Sequence, residues 1–292
     1  MAENMQELKR RMKSIESTEH ITNAMRLVSA SKYKKAKNVF DKTSMQLAEV
    51  SDTIEKIIAR AAAELTATGE DKPETESMAE TEGKTILIAV TGSKGLCGGF
   101  NANVTKQALA CAEDVPKEEL EIFAIGSKGK EFFRHNGYTI MGEYLGSPEK
   151  VTFADTKEIA RPIIEKFKSG EAAQVLMVYT QYVNSLRQEP VVKKLMPFDA
   201  KELSDGETEL EFSPKPKEVL EYMIPKYFEL TLFKAIIESA ACEHAARRSA
   251  MESATDNAND ILAKLSLTYN RVRQAAITNE IIEIVSGAEP QK

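Results

Sequence analysis

The sequence predicts an α/β protein in which two long terminal helices form an antiparallel coiled coil and a mostly parallel sheet domain occupies the middle of the chain. Three observations carry this. From Lys226 to Ser286 there is no glycine and no proline, the two residues most costly inside a helix. Residues 1–68 are equally free of both. Between them, short β-branched apolar runs alternate with helical stretches, the pattern of strands joined by helical crossovers.

In the first segment Leu47, Val50, Ile54, Ile57, Ala61 and Leu65 fall at heptad spacing, as do Leu8, Met12 and Ile15 nearer the start. The segment therefore reads as one long helix. Lys32, Lys34, Lys35 and Lys37 form a basic cluster on it; a solvated helix face explains such a cluster without a partner. Gly69 to Gly83 is acidic, with no large apolar residue except Met78, and reads as a linker.

The central segment opens with TILIAV (85–90), a run like a buried strand. A glycine turn and a helix near Asn101 to Ala112 follow. ELEIFAIG (119–126) and Tyr138 to Leu145 are the next strand candidates. Ala154 to Lys168 reads as a helix and AAQVLMVYTQYV (172–183) as another buried strand. Arg187 to Pro190 turns towards VVKKLMPF (191–198), a hairpin partner. The arrangement is Rossmann-like. Residues 199–216, with Pro214 and Pro216, lead out of it, and Pro225 lies near the start of the last helix.

That last helix is rich in residues that lose little on becoming helical. About sixty residues make a rod roughly 90 Å long. Counting in sevens gives one row through Leu220, Tyr227, Lys234, Ala241, Arg248, Thr255, Leu262, Tyr269 and Ala276. Its companion runs through Met223, Leu230, Ile237, His244, Met251, Ala258, Leu265, Val272 and Asn279. Both rows are apolar at the ends and interrupted in the middle, where alanines crowd. A thin, close-approach seam is expected there, with much of the girth left over. So long a helix needs a packing partner, and the first helix supplies one. The domain boundaries are 1–68, 69–83, 84–200, 201–216 and 217–292.

A net charge of −6 over 292 residues argues against a dedicated nucleic-acid binder. Cys97, Cys111 and Cys242 are an odd, scattered set without C-x-x-C, which fits neither a disulfide framework nor a zinc site. No run reaches the eighteen or so apolar residues of a membrane span. The start, MAENMQELKRR, has no apolar core of a secretory signal.

The glycine turn Gly92-Ser93-Lys94-Gly95-Leu96-Cys97-Gly98-Gly99 lies between a strand and a helix, where backbone amides can cradle phosphate. It lacks the Lys-Ser/Thr ending of a P-loop and the spacing of G-x-G-x-x-G. With Gly126-Ser127-Lys128-Gly129, it is explained by two tight turns. His20, His135 and His244 stand apart from any metal-spaced cluster, and no nucleophile–base arrangement emerges. Cys97 reads as small-residue packing.

Two further stretches carry a resemblance: ITNAMRLVSASKY (21–33) and ITNEIIEIVSGA (277–288). With GSKGLCGGFN and AARRSAMESATDNANDIL (245–262), they closely resemble the gamma subunit of bacterial F-type ATP synthases, in the expected order over nearly the whole chain. The resemblance implies a non-catalytic rotor shaft without a bound cofactor. Its terminal helices would turn inside a ring of alpha and beta subunits, which carry the ATP sites. Its central domain would meet the epsilon subunit and the membrane ring of c subunits.

By the same resemblance, Arg273 and Gln274 would meet a loop of a beta subunit, with Thr278 and Glu280 nearby. Met25, Arg26 and Arg247 would lie lower on the shaft. Ile277, Ile281, Ile282, Ile284 and Val285 would form an upper bearing. The place implied is the cytoplasmic face of a bacterial membrane, with no transmembrane segment. No inserted pair of cysteines like that of the chloroplast branch is visible. Without the resemblance, a coiled-coil scaffold with an α/β head ranks first, and a nucleotide-binding α/β protein is the enzyme-class alternative.

Overall fold

The computed structural model describes residues 5–68, 83–185, 187–197 and 215–288. The acidic linker expected at 69–83 lies outside the described residues apart from Gly83. The exit stretch 201–216 does so apart from Lys215 and Pro216.

In chain order the elements are helix α1 (Met5–Thr68), strand β1 (Lys84–Val90), α2 (Phe100–Ala110), β2 (Leu120–Ile125), α3 (Ser127–His135) and β3 (Thr139–Tyr144). A 3-10 turn (Pro148–Lys150) leads into α4 (Phe153–Lys168), β4 (Ala172–Tyr182), β5 (Gln188–Met196) and α5 (Pro216–Ala288). They divide between two compact units, one of residues 1–30 with 247–292 and one of residues 31–246.

The larger unit is built on a five-stranded sheet ordered β3-β2-β1-β4-β5. β1 pairs in parallel with β2 and β4, and β2 with β3, while β5 closes the edge antiparallel to β4. Because strand side chains alternate between faces, β1 divides its apolar residues. Ile86, Ile88 and Val90 enter one core with Phe123 and Ile125 of β2 and Ile159, Ile163 and Phe167 of α4. Leu87 and Ala89 enter the other with Val104 and Ala108 of α2 and Phe133 of α3.

The first core extends to both long helices, through Ile54, Ile58 and Leu65 of α1 and Leu220, Ile224, Phe228 and Ile236 of α5. Within this unit the helices run antiparallel. Tyr227 hydrogen-bonds Glu55, while Lys32 and His244 meet on one carboxylate. The thin seam expected for the middle of α5 is not what forms. From Ala235 to Ala245 every residue is buried, because here the helix has the sheet domain as well as α1 around it. The alanines admit that close approach on several sides.

Two elements differ from expectation. A tight turn was expected at Gly126 to Gly129, but only Gly126 precedes the helix: α3 begins at Ser127 and takes Gly129, costly inside a helix, into its first turn. β5 begins at Gln188, so Glu189 and Pro190 are strand residues. Pro190 stands opposite Thr180, and an edge strand tolerates it because no further strand needs its missing donor.

Candidate functional site

The smaller unit joins the two ends of the chain. On α1 Met5, Leu8, Met12, Ile15, Glu19, Thr22, Arg26 and Ser29 are all sheltered and form an unbroken a/d heptad series, with Asn23, Met25 and Ala30 partly sheltered beside it. On α5 Met251, Thr255, Ala258, Leu262, Leu265, Tyr269, Val272 and Ala276 form another. Leu8, Ser29, Met251, Thr255 and Ala258 are buried. Thr255 Oγ1 donates to Thr22 Oγ1 at 2.9 Å, and Thr22 Oγ1 donates onward to the Glu19 carbonyl at 3.0 Å. Most other side chains along these segments face outward.

All seven residues singled out for partner contact belong to this unit. Met25 and Arg26 are half-buried, and Arg26 Nη2 donates to Asn23 Oδ1 at 2.9 Å. Arg247 is buried at 7 % exposure. Arg273, Gln274, Thr278 and Glu280 are exposed; Thr278 Oγ1 folds back onto the Gln274 carbonyl at 2.9 Å. The apolar tip is open: Ile277, Ile281, Ile282, Ile284 and Val285 are 47–70 % exposed. A row of large aliphatics that exposed is costly in water unless something covers it.

In the larger unit, the glycine turn is held by the protein's own groups. Gly92 N–H donates to Asn101 Oδ1 at 2.8 Å, and the Gly92 carbonyl accepts from Lys128 N–H at 3.1 Å. Ser127 Oγ donates to the Ser93 carbonyl at 2.9 Å. A methyl placed on Gly92 would come within 2.7 Å of the Glu243 carboxyl carbon. An incoming phosphate would therefore meet a carboxylate. Gly126, at φ +89°, approaches the Thr91 carbonyl too closely for any side chain. Doubly wound sheets take ligands where the strand order reverses, here between β1 and β4. Around that crevice α5 inserts its own acceptors. Tyr182 N–H donates to Glu238 Oε1 at 2.9 Å, and Thr180 N–H to Ser239 Oγ at 3.2 Å.

Cys97 packs with Phe100 and Cys242 in a small buried cluster, and burial pushes the Cys242 thiol well up from its ordinary range. Among the described residues no cluster of His, Cys, Asp and Glu has the makings of a metal site.

A cluster that spacing did not disclose sits on Glu149 of the 3-10 turn. Its Oε1 accepts from Lys32 Nζ at 2.8 Å and its Oε2 meets His244 Nε2 at 2.5 Å. Lys32 is thus engaged, while Lys34 and Lys35 of the basic cluster are solvated. The three residues lie 117 and 95 positions apart, so no local pattern announces them.

The family model described as ATP synthase matches residues 4–290. The sodium ion specific ATP synthase gamma chain of Acetobacterium woodii is 40 % identical, covering 99 % of both chains. The ATP synthase gamma chain of Alkaliphilus metalliredigens is 40 % identical over 100 % of each. A chain from the rotor of the Euglena gracilis mitochondrial ATP synthase shares the fold at a TM-score of 0.62 and 17 % identity, covering 94 % of this chain and 98 % of that one. Full-length likeness at this level, on paired terminal helices around a parallel-sheet domain, leads to one conclusion: the chain belongs to the ATP synthase gamma chain family.

Proposed function

We propose that this chain is the central rotor shaft of an F-type ATP synthase. It couples ion flow through the membrane c ring to ATP synthesis and hydrolysis on the alpha and beta subunits. The observation that carries the reading is the pairing of the chain's two ends. They share a heptad seam fastened at Thr22 and Thr255, with their outer faces and an apolar tip left open. A shaft turning in a sleeve needs its apolar contacts inside the pair and few adhesive ones outside.

On this reading residues 1–68 and 217–292 are the coil, 84–200 the hub, and 69–83 and 201–216 the linkers between them. Arg273, Gln274, Thr278 and Glu280 contact the ring high on the shaft, and Met25, Arg26 and Arg247 lower down. Ile277, Ile281, Ile282, Ile284 and Val285 sit in the upper bearing. The hub meets the epsilon subunit and the c ring. The subunit is non-catalytic and binds no cofactor; the carboxylate of Glu243 against the glycine turn supports this over a nucleotide-binding reading. Among the described residues no helix is long and apolar enough to cross a membrane, which suits a peripheral subunit on the cytoplasmic face of a bacterial membrane.

Co-expression with alpha and beta subunits tests the reading. A single copy should co-purify with each ring and be lost when roughly the last twenty residues are removed. Elution of the intact chain alone, or as a dimer through its helices, would overturn it.

A further inference from the structure

The sheet domain is fastened to the long helices by two different kinds of contact. One is apolar, through Ile54, Ile58, Ile224 and Phe228. Such contact is strong but non-directional, so by itself it resists separation better than slippage. Directional bonds add to it; Lys193 Nζ of β5 donates to the Tyr227 hydroxyl of α5 at 3.5 Å. At the end of β4, Tyr182 and Thr180 bond to Glu238 and Ser239 of α5, and the Tyr182 and Tyr33 hydroxyls meet at 2.8 Å. At the 3-10 turn, one carboxylate reaches both helices.

Glu149 gives one oxygen to Lys32 of α1 and the other to His244 of α5. Its setting is held by contacts other than those two bonds. Pro148 and Val151 are buried on either side. A reciprocal cap follows at once: Thr152 Oγ1 accepts from Asp155 N–H at 3.2 Å, and Asp155 Oδ2 accepts from Thr152 N–H at 2.8 Å. The His244 side chain is 7 % exposed and that of Glu149 22 %. Burial alone would raise the Glu149 carboxyl, but hydrogen bonds from Lys32 and His244 more than offset it and bring it down to about 2. The two bonds thus favour the charged carboxylate.

We propose that Glu149 is a positioning residue for torque transfer, fixing the angular register of the sheet domain on α1 and α5 simultaneously so that rotation of the domain reaches the helix pair without slip. The inference rests on the rotor reading. Steric contact bears the load; Glu149 sets where it is applied.

The test uses the assembled synthase in sealed vesicles, carrying Glu149→Gln, Glu149→Ala, His244→Gln or His244→Leu, with ATP hydrolysis and ion pumping measured together. Glu149→Ala and His244→Leu should hydrolyse at the wild-type rate and pump roughly twofold less per ATP, or worse. Glu149→Gln keeps the shape and loses the charge, so the same fall at full subunit content cannot be a folding defect. His244→Gln retains an N–H able to reach Glu149 and should keep wild-type coupling. Wild-type pumping per ATP in both Glu149 variants would overturn the proposal, as would equal losses in His244→Gln and His244→Leu. Failure of the rotor reading looks different: the wild-type chain would not be retained on the alpha and beta subunits at all.

Discussion

Thr22 and Thr255 stand 233 positions apart, yet their hydroxyl oxygens lie 2.9 Å from each other in the seam between α1 and α5. Each hydroxyl also has an acceptor in its own helix: Thr22 donates to the Glu19 carbonyl at 3.0 Å, and Thr255 can turn its single proton from Thr22 to the Met251 carbonyl at 2.8 Å. Neither becomes an orphan when the other is removed. Thr22→Val and Thr255→Val should therefore couple weakly, by about 0.5–1 kcal/mol in a double-mutant cycle. Urea unfolding of the full chain followed by helical circular dichroism measures this. A coupling energy several times larger would show that the back-bonds do not substitute.

Glu121 sends a buried carboxylate into the sheet, its side chain 6 % exposed, against Lys84 at 2.8 Å and Lys166 at 2.5 Å. Burial raises its pKa, but the hydrogen bonds from Lys166 and Lys84 prevail and hold it below the usual value. A depressed carboxylate contributes stability above its unfolded value of 4.5, and that contribution fades as the pH falls below it. Glu121→Gln should cost about 1–3 kcal/mol at pH 7 and flatten the loss of stability below pH ~4.5. An unchanged acid limb in thermal unfolding would contradict the assignment.

The cysteines should differ in reactivity. Burial raises the thiol pKa of both Cys111 and Cys242, but Cys111 is part-exposed, whereas Cys97 and Cys242 are buried. Iodoacetamide at mildly alkaline pH should modify Cys111 first and Cys242 only on unfolding, as read by peptide mass spectrometry. Rapid native labelling of Cys242 would mean that α5 separates from the sheet domain.

The proposed ring contacts make a functional prediction. Arg273 is exposed, and an exposed ion pair is worth roughly 0–1 kcal/mol, so steric pushing must carry most of the torque. Arg273→Ala should assemble fully, hydrolyse ATP and pump less per turnover. Met25→Lys should add a polar tether on the lower shaft and lower efficiency. Unchanged pumping-to-hydrolysis ratios in reconstituted vesicles would remove those roles.

Legibility in the sequence followed the physics of each element. The outer parts of α1 and α5 face a partner on one side and water on the other, so their burial repeats in sevens and Leu8, Met12, Leu262 and Leu265 declare it. The middle of α5 is enclosed by α1 and the sheet domain together, which erases the repeat; Lys234, on the counted row, is exposed while Ala235 to Ala245 after it are all buried. β1, β2 and β4 were readable because apolar strands flank the sheet's centre. α3 is only nine residues long and carries an interior glycine, so propensity argues against it. Glu149, Lys32 and His244 were unreadable for another reason. Tertiary structure alone brings them together, and each by itself looks like an ordinary surface residue.

The account depends on the chain's two ends being one paired shaft, and a cross-link tests that most directly. Thr22→Cys combined with Thr255→Cys should, on mild oxidation, give an intramolecular disulfide in the assembled synthase and leave ATP hydrolysis and pumping intact, because both ends turn as one body. Failure to cross-link, a bond between two copies of the chain, or arrest of turnover on closing the bond would contradict it.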